Sequence, residues 1–183
     1  KKTVLPQLEK NVADRDLRIW CAACSTGEES YTLAMILDEY FGNSKLSWDS
    51  KVLATDISER VLNEAKSGIY SNERLETLPS MWKMNYFRRV DENNSAVVDK
   101  IQKQVLYRKF NLMENVFPFK KKFHVIFCRN VMIYFDNETK IKLIRKFYDM
   151  MESGGYLFIG HAESIARGES DFKYVMPAVY HKI

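Results

Sequence analysis

The stretch from Arg18 to Ser30, RIWCAACSTGEES, constrains the fold of this chain more than any other. Leu17 to Ala23 is a compact apolar run of the kind that forms strands buried on both faces. Ser25-Thr26-Gly27 interrupts the run, and the apolar spacing of the next residues predicts a helix from Glu28 to Phe41. A strand, a tight loop and a helix N-terminus present backbone N–H groups and the positive end of the helix dipole to a polar ligand. The sequence therefore predicts a ligand-binding loop here.

The segments after this helix alternate between strands and helices, which is the pattern of a parallel α/β sheet. Further strands are predicted at 51–55, 105–110, 123–128 and 156–159, and a terminal β-hairpin at 172–175 and 178–182. Helices are predicted at 4–12, between Ser58 and Gly68, and from Asp136 to Gly154-Gly155. The last helix is expected to bury a face made of Ile141, Ile144, Tyr148 and Met151.

The alternation breaks between residues 69 and 103. Short helices are predicted around Pro79, and strands at 86–90 and 96–100 predict an antiparallel hairpin. Such an insertion is either a subdomain that meets a partner or substrate, or a plain surface insertion. The sequence leaves both interpretations open.

The composition is that of one ordinary globular domain. The chain has 183 residues, of which 46% are hydrophobic and 28% charged, so a disordered or fibrous chain is excluded. A net charge of +4 suits an acidic protein surface or nucleic acid without deciding between them. No apolar run approaches the roughly 18 residues of a membrane span, and the start lacks a signal-peptide core. The odd count of 3 cysteines indicates reduced thiols in a cytoplasmic protein.

The candidate ligand-binding residues follow the ends of the predicted strands, where open α/β sheets bind their ligands. Asp56 ends the second strand, and its carboxylate is expected to accept hydrogen bonds from ribose hydroxyls. Capping of the next helix is the alternative role, which we consider weaker because Ser58 is available as the cap. The loop lacks G-x-G-x-x-G and the lysine of a P-loop, so a nucleoside cofactor without phosphate suits it.

Two glutamates follow the loop, and both fit a capping box, Ser25-x-x-Glu28 and Thr26-x-x-Glu29. One is expected to do only that, while the other is free to balance a ligand ammonium or sulfonium. Asn111 is either a turn residue at a strand end or a contact to an adenine edge.

Two further groups have competing interpretations. Arg129 could hold an anionic substrate, although an ion pair that fastens its turn is the favoured interpretation. Cys21 and Cys24 are spaced like a redox or zinc pair, but no second C-x-x-C exists. We therefore expect small buried residues beside the loop and no metal site.

Five motifs occur in an order found in one enzyme family: RIWCAACSTGEES, ATDIS with the later AKSGIY, FNLME, FCRNVMIYF and GHAES. Over essentially its whole length the chain resembles the chemotaxis receptor methyltransferases, the CheR family. The resemblance implies S-adenosyl-L-methionine-dependent O-methylation of receptor glutamates, giving glutamyl methyl esters and S-adenosyl-L-homocysteine. It implies one α/β domain over 1–183, of the Rossmann-like class I methyltransferase fold. The expected sheet has seven mostly parallel strands with the last antiparallel, plus a small antiparallel β-subdomain at 86–103.

The resemblance also implies roles for individual residues and a partner. The implied catalytic residues are Tyr134 and Arg129. The partner would be the cytoplasmic helical region of chemoreceptors, bound by a monomer without nucleic acid or membrane insertion. The implied cofactor-binding residues are Ala22, Ala23, Glu29, Asp56, Asn111, Leu112, Cys128, Arg129 and Asn130.

The chain departs from the family pattern in several places. Ser30 stands where the family has proline, and Asn93-Asn94-Ser95 lacks the glycines with which some members dock a receptor tail. The family's N-terminal helical domain and the threonine–phenylalanine–arginine segment behind it are not in this sequence, so weak activity is expected. Two alternative functions are a methyltransferase with another acceptor and a non-catalytic S-adenosyl-L-methionine-binding regulatory module.

Overall fold

A computed structural model describes residues 2–42, 47–166 and 168–183. The first half of the chain forms α1 (Val4–Asn11), β1 (Ile19–Cys21), α2 (Glu28–Phe41), β2 (Val52–Asp56), α3 (Glu59–Ser67), β3 (Ile69–Ser71), α4 (Ser80–Tyr86), β4 (Phe87–Arg89) and β5 (Asn94–Val97). The second half forms α5 (Asp99–Gln102), β6 (Val105–Lys109), β7 (Phe123–Cys128), α6 (Asn137–Asp149), β8 (Met151–Ile159), β9 (Lys173–Met176) and β10 (Val179–His181). Short 3-10 turns also lie at Glu73–Leu75 and Met132–Tyr134.

The main sheet has seven strands in the order β6-β2-β1-β7-β8-β10-β9. The first five are parallel to one another, and β10 is antiparallel to both β8 and β9. The central strand β1 pairs Ile19 with Val52 on one side and with Val125 on the other. This topology confirms the predicted mostly parallel sheet with an antiparallel last strand.

The apolar run around β1 forms a strand because both faces of the sheet are covered. Ile19 and Cys21 pack into one core layer with α1 and α2, whereas Trp20 packs into the layer on the other face. The Trp20 ring is surrounded by five phenylalanines with ring centroids 4.8–5.9 Å away. Its Nε1 donates to Thr55 Oγ1 over 2.9 Å, which satisfies the one polar atom of this buried side chain. The C-terminal ends of β1 and β2 are thereby held together.

The predicted antiparallel insertion is a three-stranded sheet in the order β3-β5-β4. Strands β4 and β5 lie within the predicted β-subdomain at 86–103, and the third strand, β3, precedes that range. The strand predicted at 96–100 ends at Val97, because Asp99–Gln102 turns into the short helix α5. Buried Tyr70, Ala96 and Val97 attach this small sheet to the core.

The region around Gly154-Gly155 differs from the prediction. Helix α6 starts at the predicted cap, where Asp136 Oδ1 accepts from Thr139 N over 2.8 Å, but it ends at Asp149. The two glycines lie inside β8, where a Cβ on Gly155 would be 2.9 Å from the His124 carbonyl oxygen. Of the predicted buried face of α6, Ile144 is buried and Tyr148 packs partly buried against the core, whereas Met151 is buried in β8 and the helix buries Leu143 and Phe147 instead of Ile141.

None of the helices within 2–42, 47–166 and 168–183 has the length and apolarity needed to span a membrane.

Candidate functional site

Residues 24–27 of the loop between β1 and α2, which we call the cradle loop, donate backbone hydrogen bonds to the end of β2. Cys24 N donates to Thr55 O over 2.9 Å, and Ser25 N donates to Asp56 Oδ2 over 2.9 Å. Gly27 is the N-cap residue of α2, with no side-chain capping bond, so the predicted capping boxes were wrong. The loop is closed instead by Gly27 N, which donates to Cys24 O over 3.0 Å.

Gly27 is required at its position for two reasons. Its φ of 97° lies in the left-handed region that favours glycine. A Cβ there would lie 2.8 Å from Tyr107 Oη and 2.9 Å from Tyr70 Oη. Ser30 supports the same turn, since its Oγ donates to Gly27 O over 2.8 Å and also hydrogen-bonds Tyr107 Oη at 2.8 Å. The serine that replaces the family's proline is therefore part of the support of the loop.

The small sheet contacts the cradle loop directly. Tyr70, on β3, donates its hydroxyl to Thr26 O over 2.7 Å. Arg74, just beyond β3, donates to Thr26 Oγ1 over 2.9 Å and forms an ion pair with Glu28. Neither contact was predicted, because residues more than forty positions apart form them. They explain why Glu28 does not cap α2.

Two cavities meet at the C-terminal edge of the parallel strands. The smaller is about 250 Å³ and mainly apolar, with walls from Ala22, Ala23, Asp56, Ile57, Phe110, Asn111, Leu112, Met113, Val131 and Phe135. The larger is about 680 Å³ and more polar, with walls from Ala23, Cys24, Ser25, Glu28, Glu29, Thr32, Asp56, Arg129, Asn130, Val131 and Tyr134. Ala23, Asp56 and Val131 line both, so the cavities form one site with two compartments.

Asp56 lies at the junction of the two compartments. Its Oδ1 accepts from Ser58 N over 3.0 Å and its Oδ2 accepts from Ser25 N over 2.9 Å. Ser58 occupies the N-cap position of α3 but makes no side-chain capping bond, so its predicted capping role was wrong. Each carboxylate oxygen of Asp56 has a second lone pair available to a ligand hydroxyl.

Glu29 and Arg129 form an ion pair in the larger compartment. Arg129 Nη1 donates to Glu29 Oε2 over 2.6 Å, while the Cys21 thiol donates to Glu29 Oε1 over 3.4 Å. The pair connects α2 to the loop after β7 and is the interpretation of Arg129 that the sequence favoured. Asn111 was given two alternative roles, a turn residue or an adenine contact. Its Oδ1 accepts from Met113 N over 2.9 Å, as in a turn, and the residue also lines the smaller compartment.

The three thiols near the site are held in their protonated form. Burial, together with the nearby Glu29 carboxylate, raises the pKa of Cys21 well above its usual value. Burial and the Asp56 carboxylate raise the pKa of Cys24 to about 12. Burial raises the pKa of Cys128 well above its usual value, and this fully buried residue lines neither compartment. Within the described residues, no group of three histidine, cysteine or acidic side chains is placed to hold a metal ion.

Sequence reasoning missed much of the apolar wall of the smaller compartment. Ile57, Phe110, Met113 and Phe135 line it, and each directly follows or precedes a residue that was singled out. Their position next to strand ends was the available signal. Tyr134, which was predicted, lies at the rim of the larger compartment with 79% of its surface exposed.

Comparison with known proteins shows the family of the chain. The family described as "CheR methyltransferase, SAM binding domain" matches residues 1–180. The chain belongs to this family. A chemotaxis protein methyltransferase of Borreliella burgdorferi is 46% identical over 182 residues, which cover 98% of this chain and 64% of that protein. The chemotaxis protein methyltransferase of Escherichia coli is 38% identical over 168 residues, covering 90% of this chain and 58% of that protein.

The chain thus spans about 60% of the length of these curated CheR relatives. Among solved structures, the glycopeptide N-methyltransferase MtfA complexed with S-adenosyl-L-methionine is similar at a TM-score of 0.46 and 14% identity. That match covers 85% of this chain and 48% of MtfA, and it is too weak to inform on the site.

S-adenosyl-L-methionine is the cofactor of a CheR domain of this type. The residues present fit it. The apolar smaller compartment has the character needed for a flat purine, and the described residues that line it include no lysine or arginine that would bind a phosphate. The larger compartment has three carboxylates among its described lining residues; Glu28 is paired with Arg74 and Glu29 with Arg129, so the charge of Asp56 is left in excess. This excess of negative charge complements a ligand that has both a sulfonium and an ammonium group.

Proposed function

We propose that this CheR domain catalyses S-adenosyl-L-methionine-dependent O-methylation of glutamate side chains on chemoreceptors. The products are glutamyl methyl esters and S-adenosyl-L-homocysteine. The observation that supports the proposal best is the two-compartment site, in which the ion pair of Glu29 and Arg129 stands beside the exposed ring of Tyr134. A nucleoside compartment thereby opens into a polar compartment that a protein side chain can reach.

Individual residues take the parts of the cofactor that the family resemblance implies, and each lies in the matching compartment except Ala22, which lines only the smaller one, and Cys128, which lines neither. Asn111 and Leu112 hold the adenine, Asp56 takes the ribose hydroxyls, and Ala22, Ala23 and Glu29 face the methionine part. Arg129 and Asn130 flank the cofactor from the loop after β7, together with the main chain of Cys128. The carboxylate of Asp56 suits ribose because it lies at the junction of the compartments.

The reaction requires little acid–base chemistry from the protein. When bound, the cofactor supplies an electrophilic methyl group, whose carbon bonds to a carboxylate oxygen while the electrons of the broken carbon–sulfur bond stay on sulfur. An ionised acceptor carboxylate is already a nucleophile, so no side chain has to remove a proton. The residues of the site bind, orient and exclude water. Arg129 keeps guanidinium N–H groups beyond the one that Glu29 binds, and these orient the acceptor, while Tyr134 shapes the opening.

The partner and setting follow from the same proposal. Residues 1–183 form one methyltransferase domain, with the small sheet as a subdomain. The whole domain acts as a monomer in the cytoplasm on the helical cytoplasmic region of chemoreceptors, without binding nucleic acid.

One observation favours a second candidate, a non-catalytic S-adenosyl-L-methionine-binding regulatory module. Arg129, the cation among the described lining residues of the larger compartment, is already paired with Glu29. An acceptor carboxylate would therefore compete with Glu29 for it. A module of this kind would bind the cofactor without transferring its methyl group.

Methyl transfer to a receptor fragment distinguishes these functions. The chain is incubated with methyl-labelled S-adenosyl-L-methionine and the cytoplasmic fragment of a chemoreceptor, and the labelled fragment is treated with base. Release of the label as methanol is expected of a glutamyl ester. Label that resists base would indicate another acceptor. Cofactor binding without label transfer would favour the regulatory module.

A further inference from the structure

Glu163, in the GHAES motif after β8, makes an unusual set of hydrogen bonds. Its Oε1 accepts from Val131 N over 3.1 Å and from Met132 N over 2.8 Å. Its Oε2 accepts from Asn130 N over 3.2 Å and from Gly160 N over 2.5 Å. The side chain is 6% exposed. One buried carboxylate thus binds four backbone N–H groups.

These bonds compensate the charge of the Glu163 carboxylate. A buried carboxylate is unfavourable unless hydrogen bonds or a cation compensate its charge. Across the described ranges, no lysine, arginine or histidine lies within ion-pair distance of Glu163. Three successive N–H groups converging on one anion resemble the concave main-chain sites that bind anions in other proteins. Here the anion belongs to the chain itself.

The clamped segment is the one that forms a wall of the site. Asn130 has a φ of 58°, a left-handed conformation that costs energy in a residue other than glycine. Arg129 immediately precedes the clamped N–H groups, and Tyr134 follows them in the same 3-10 turn as Met132. Both line the larger compartment. The carboxylate of Glu163 thus fixes the backbone from which these side chains project.

Gly160 belongs to the same unit. A Cβ at this position would lie 2.8 Å from Glu163 Oε2, 2.5 Å from Asn130 Oδ1 and 3.0 Å from Asn130 N. Cys128 and Ile159 pair in register just before, so the ends of β7 and β8 approach each other here. Glycine allows this approach, and Glu163 then bonds to both strand ends.

We propose that Glu163 is a positioning residue for methyl transfer, which acts by clamping the main chain at 130–132 and so placing Arg129, Asn130 and Tyr134. Its effect on the reaction rests on the proposed methyltransferase function. The clamp itself does not, because it is a property of the folded chain without ligand.

Glu163→Gln tests the proposal with an isosteric change. The amide keeps one acceptor oxygen but turns an NH2 donor towards two backbone N–H groups, so about half of the clamp is lost. Glu138→Gln is the matched control, since Glu138 is exposed on α6 and its carboxylate accepts from the side chain of Lys142. Hydrogen–deuterium exchange is measured without ligand, and kcat and KM are measured with labelled cofactor and receptor fragment, both normalised to the folded fraction.

For Glu163→Gln we expect exchange at residues 130–132 to quicken at least tenfold, with β1 unchanged. We also expect kcat to fall by up to about 100-fold, because the side chains of Arg129, Asn130 and Tyr134 would be displaced. Glu138→Gln is expected to change neither. A purely structural Glu163 would lower the folded fraction but leave the kcat of the folded enzyme at the wild-type value, and that result would overturn the proposal. Unchanged exchange at 130–132 would overturn it as well.

Two further outcomes keep the clamp and the function separate. If the variant exchanges faster at 130–132 but the wild type transfers no methyl group, the clamp stands and the proposed function fails. If Glu163→Gln does not fold, hydrogen–deuterium exchange of the wild-type chain tests the clamp. The amides of Asn130, Val131, Met132 and Gly160 should then be as protected as those of β7, and rapid exchange would overturn the clamp.

Discussion

Arg129 and Glu29 are joined by a 2.6 Å hydrogen bond between Nη1 and Oε2, which links the loop after β7 to the first turn of α2. The Glu29 carboxylate thus pairs with Arg129 and also lines the larger compartment, in which we propose that the cationic part of the cofactor binds. The balance of charge in this compartment leads to the first prediction.

Glu29→Gln should weaken the binding of S-adenosyl-L-methionine more than that of S-adenosyl-L-homocysteine, which lacks the sulfonium charge. Loss of the carboxylate leaves Arg129 unpaired and repelling the ligand, so we expect about a tenfold loss for the sulfonium ligand. The double variant with Arg129→Gln should bind it more tightly than Glu29→Gln alone. Calorimetric titration measures cofactor binding to Glu29→Gln, Arg129→Gln and the double variant. Glu138→Gln and Lys142→Gln are the control pair. Strictly additive losses would contradict coupling between the two residues.

Asp56→Ala should reduce the affinity for S-adenosyl-L-homocysteine by roughly 10- to 100-fold, the effect of losing hydrogen bonds to a charged acceptor. The loss should appear for ligands that contain ribose and be small for adenine alone. Asp91→Ala is a matched control, because Asp91 also accepts from two backbone N–H groups, of Asn93 and Asn94, in the turn between β4 and β5. An equal loss for adenine would show that Asp56 acts by shaping the loop, not by binding ribose.

Gly27→Ala should destabilise the fold by about 1–3 kcal/mol, because a side chain is forced into a left-handed conformation and against neighbours. Gly168→Ala separates the two causes. Gly168 has a similar φ of 92°, against 97° for Gly27, but a Cβ there meets nothing within 4 Å. Denaturant unfolding should therefore show a larger loss for Gly27→Ala. Equal losses would mean that the tyrosine hydroxyls behind Gly27 move aside freely.

The thiols should resist alkylation in the folded state at pH 8. With a pKa of about 12 for Cys24, its thiolate fraction is on the order of 10⁻⁴ at that pH. The reference pKa of a cysteine thiol is 9.0, which we take for the unfolded chain. Above pH 9 the unfolded state therefore loses protons that the folded state keeps. The free energy of unfolding should accordingly fall as the pH rises past 9, and less steeply in Cys24→Ala. Rapid labelling by a thiol reagent without denaturant would contradict the burial of these groups.

Tyr134→Phe should lower kcat without changing the midpoint of thermal unfolding, since Tyr134 is exposed and its loss opens no cavity in the core. Removing a hydroxyl that orients a reacting group typically costs roughly tenfold. Tyr174→Phe on β9 is the control, as Tyr174 is 64% exposed and lines neither compartment. Unchanged turnover in Tyr134→Phe would remove the hydroxyl from the mechanism.

Elements with strong apolar periodicity could be predicted from the sequence almost to the residue. Helix α2 and strand β7 have the predicted bounds, because burial on one or both faces fixes which residues must be apolar. Gly154-Gly155 misled the prediction, since glycines commonly end helices. Here a strand pairs with its parallel neighbour at Met151 and again from Tyr156 onward, and Gly155 allows close approach between the two pairings.

The candidate site was predictable as a set of strand ends but not as a set of contacts. The topology brings Asp56, Asn111 and Arg129 to one edge of the sheet. The partners of Glu28 and Glu163 could not be inferred, because Arg74 and the 130–132 backbone are distant in sequence and only the fold brings them near. Capping propensity is a local rule, and at Glu28 a distant arginine outcompetes it.

The contacts of Tyr70 and Arg74 with the cradle loop have a consequence for anyone who would transplant this loop into another scaffold. The segment from β1 to α2 is not self-sufficient, because β3 supplies a hydroxyl to Thr26 O and the residues beyond it supply the partner of Glu28. A portable module therefore has to include Tyr70, Arg74 and also Tyr107, which supports Ser30, and it needs β5 to hold β3 in place. A shorter graft would keep the sequence of the loop and lose its shape.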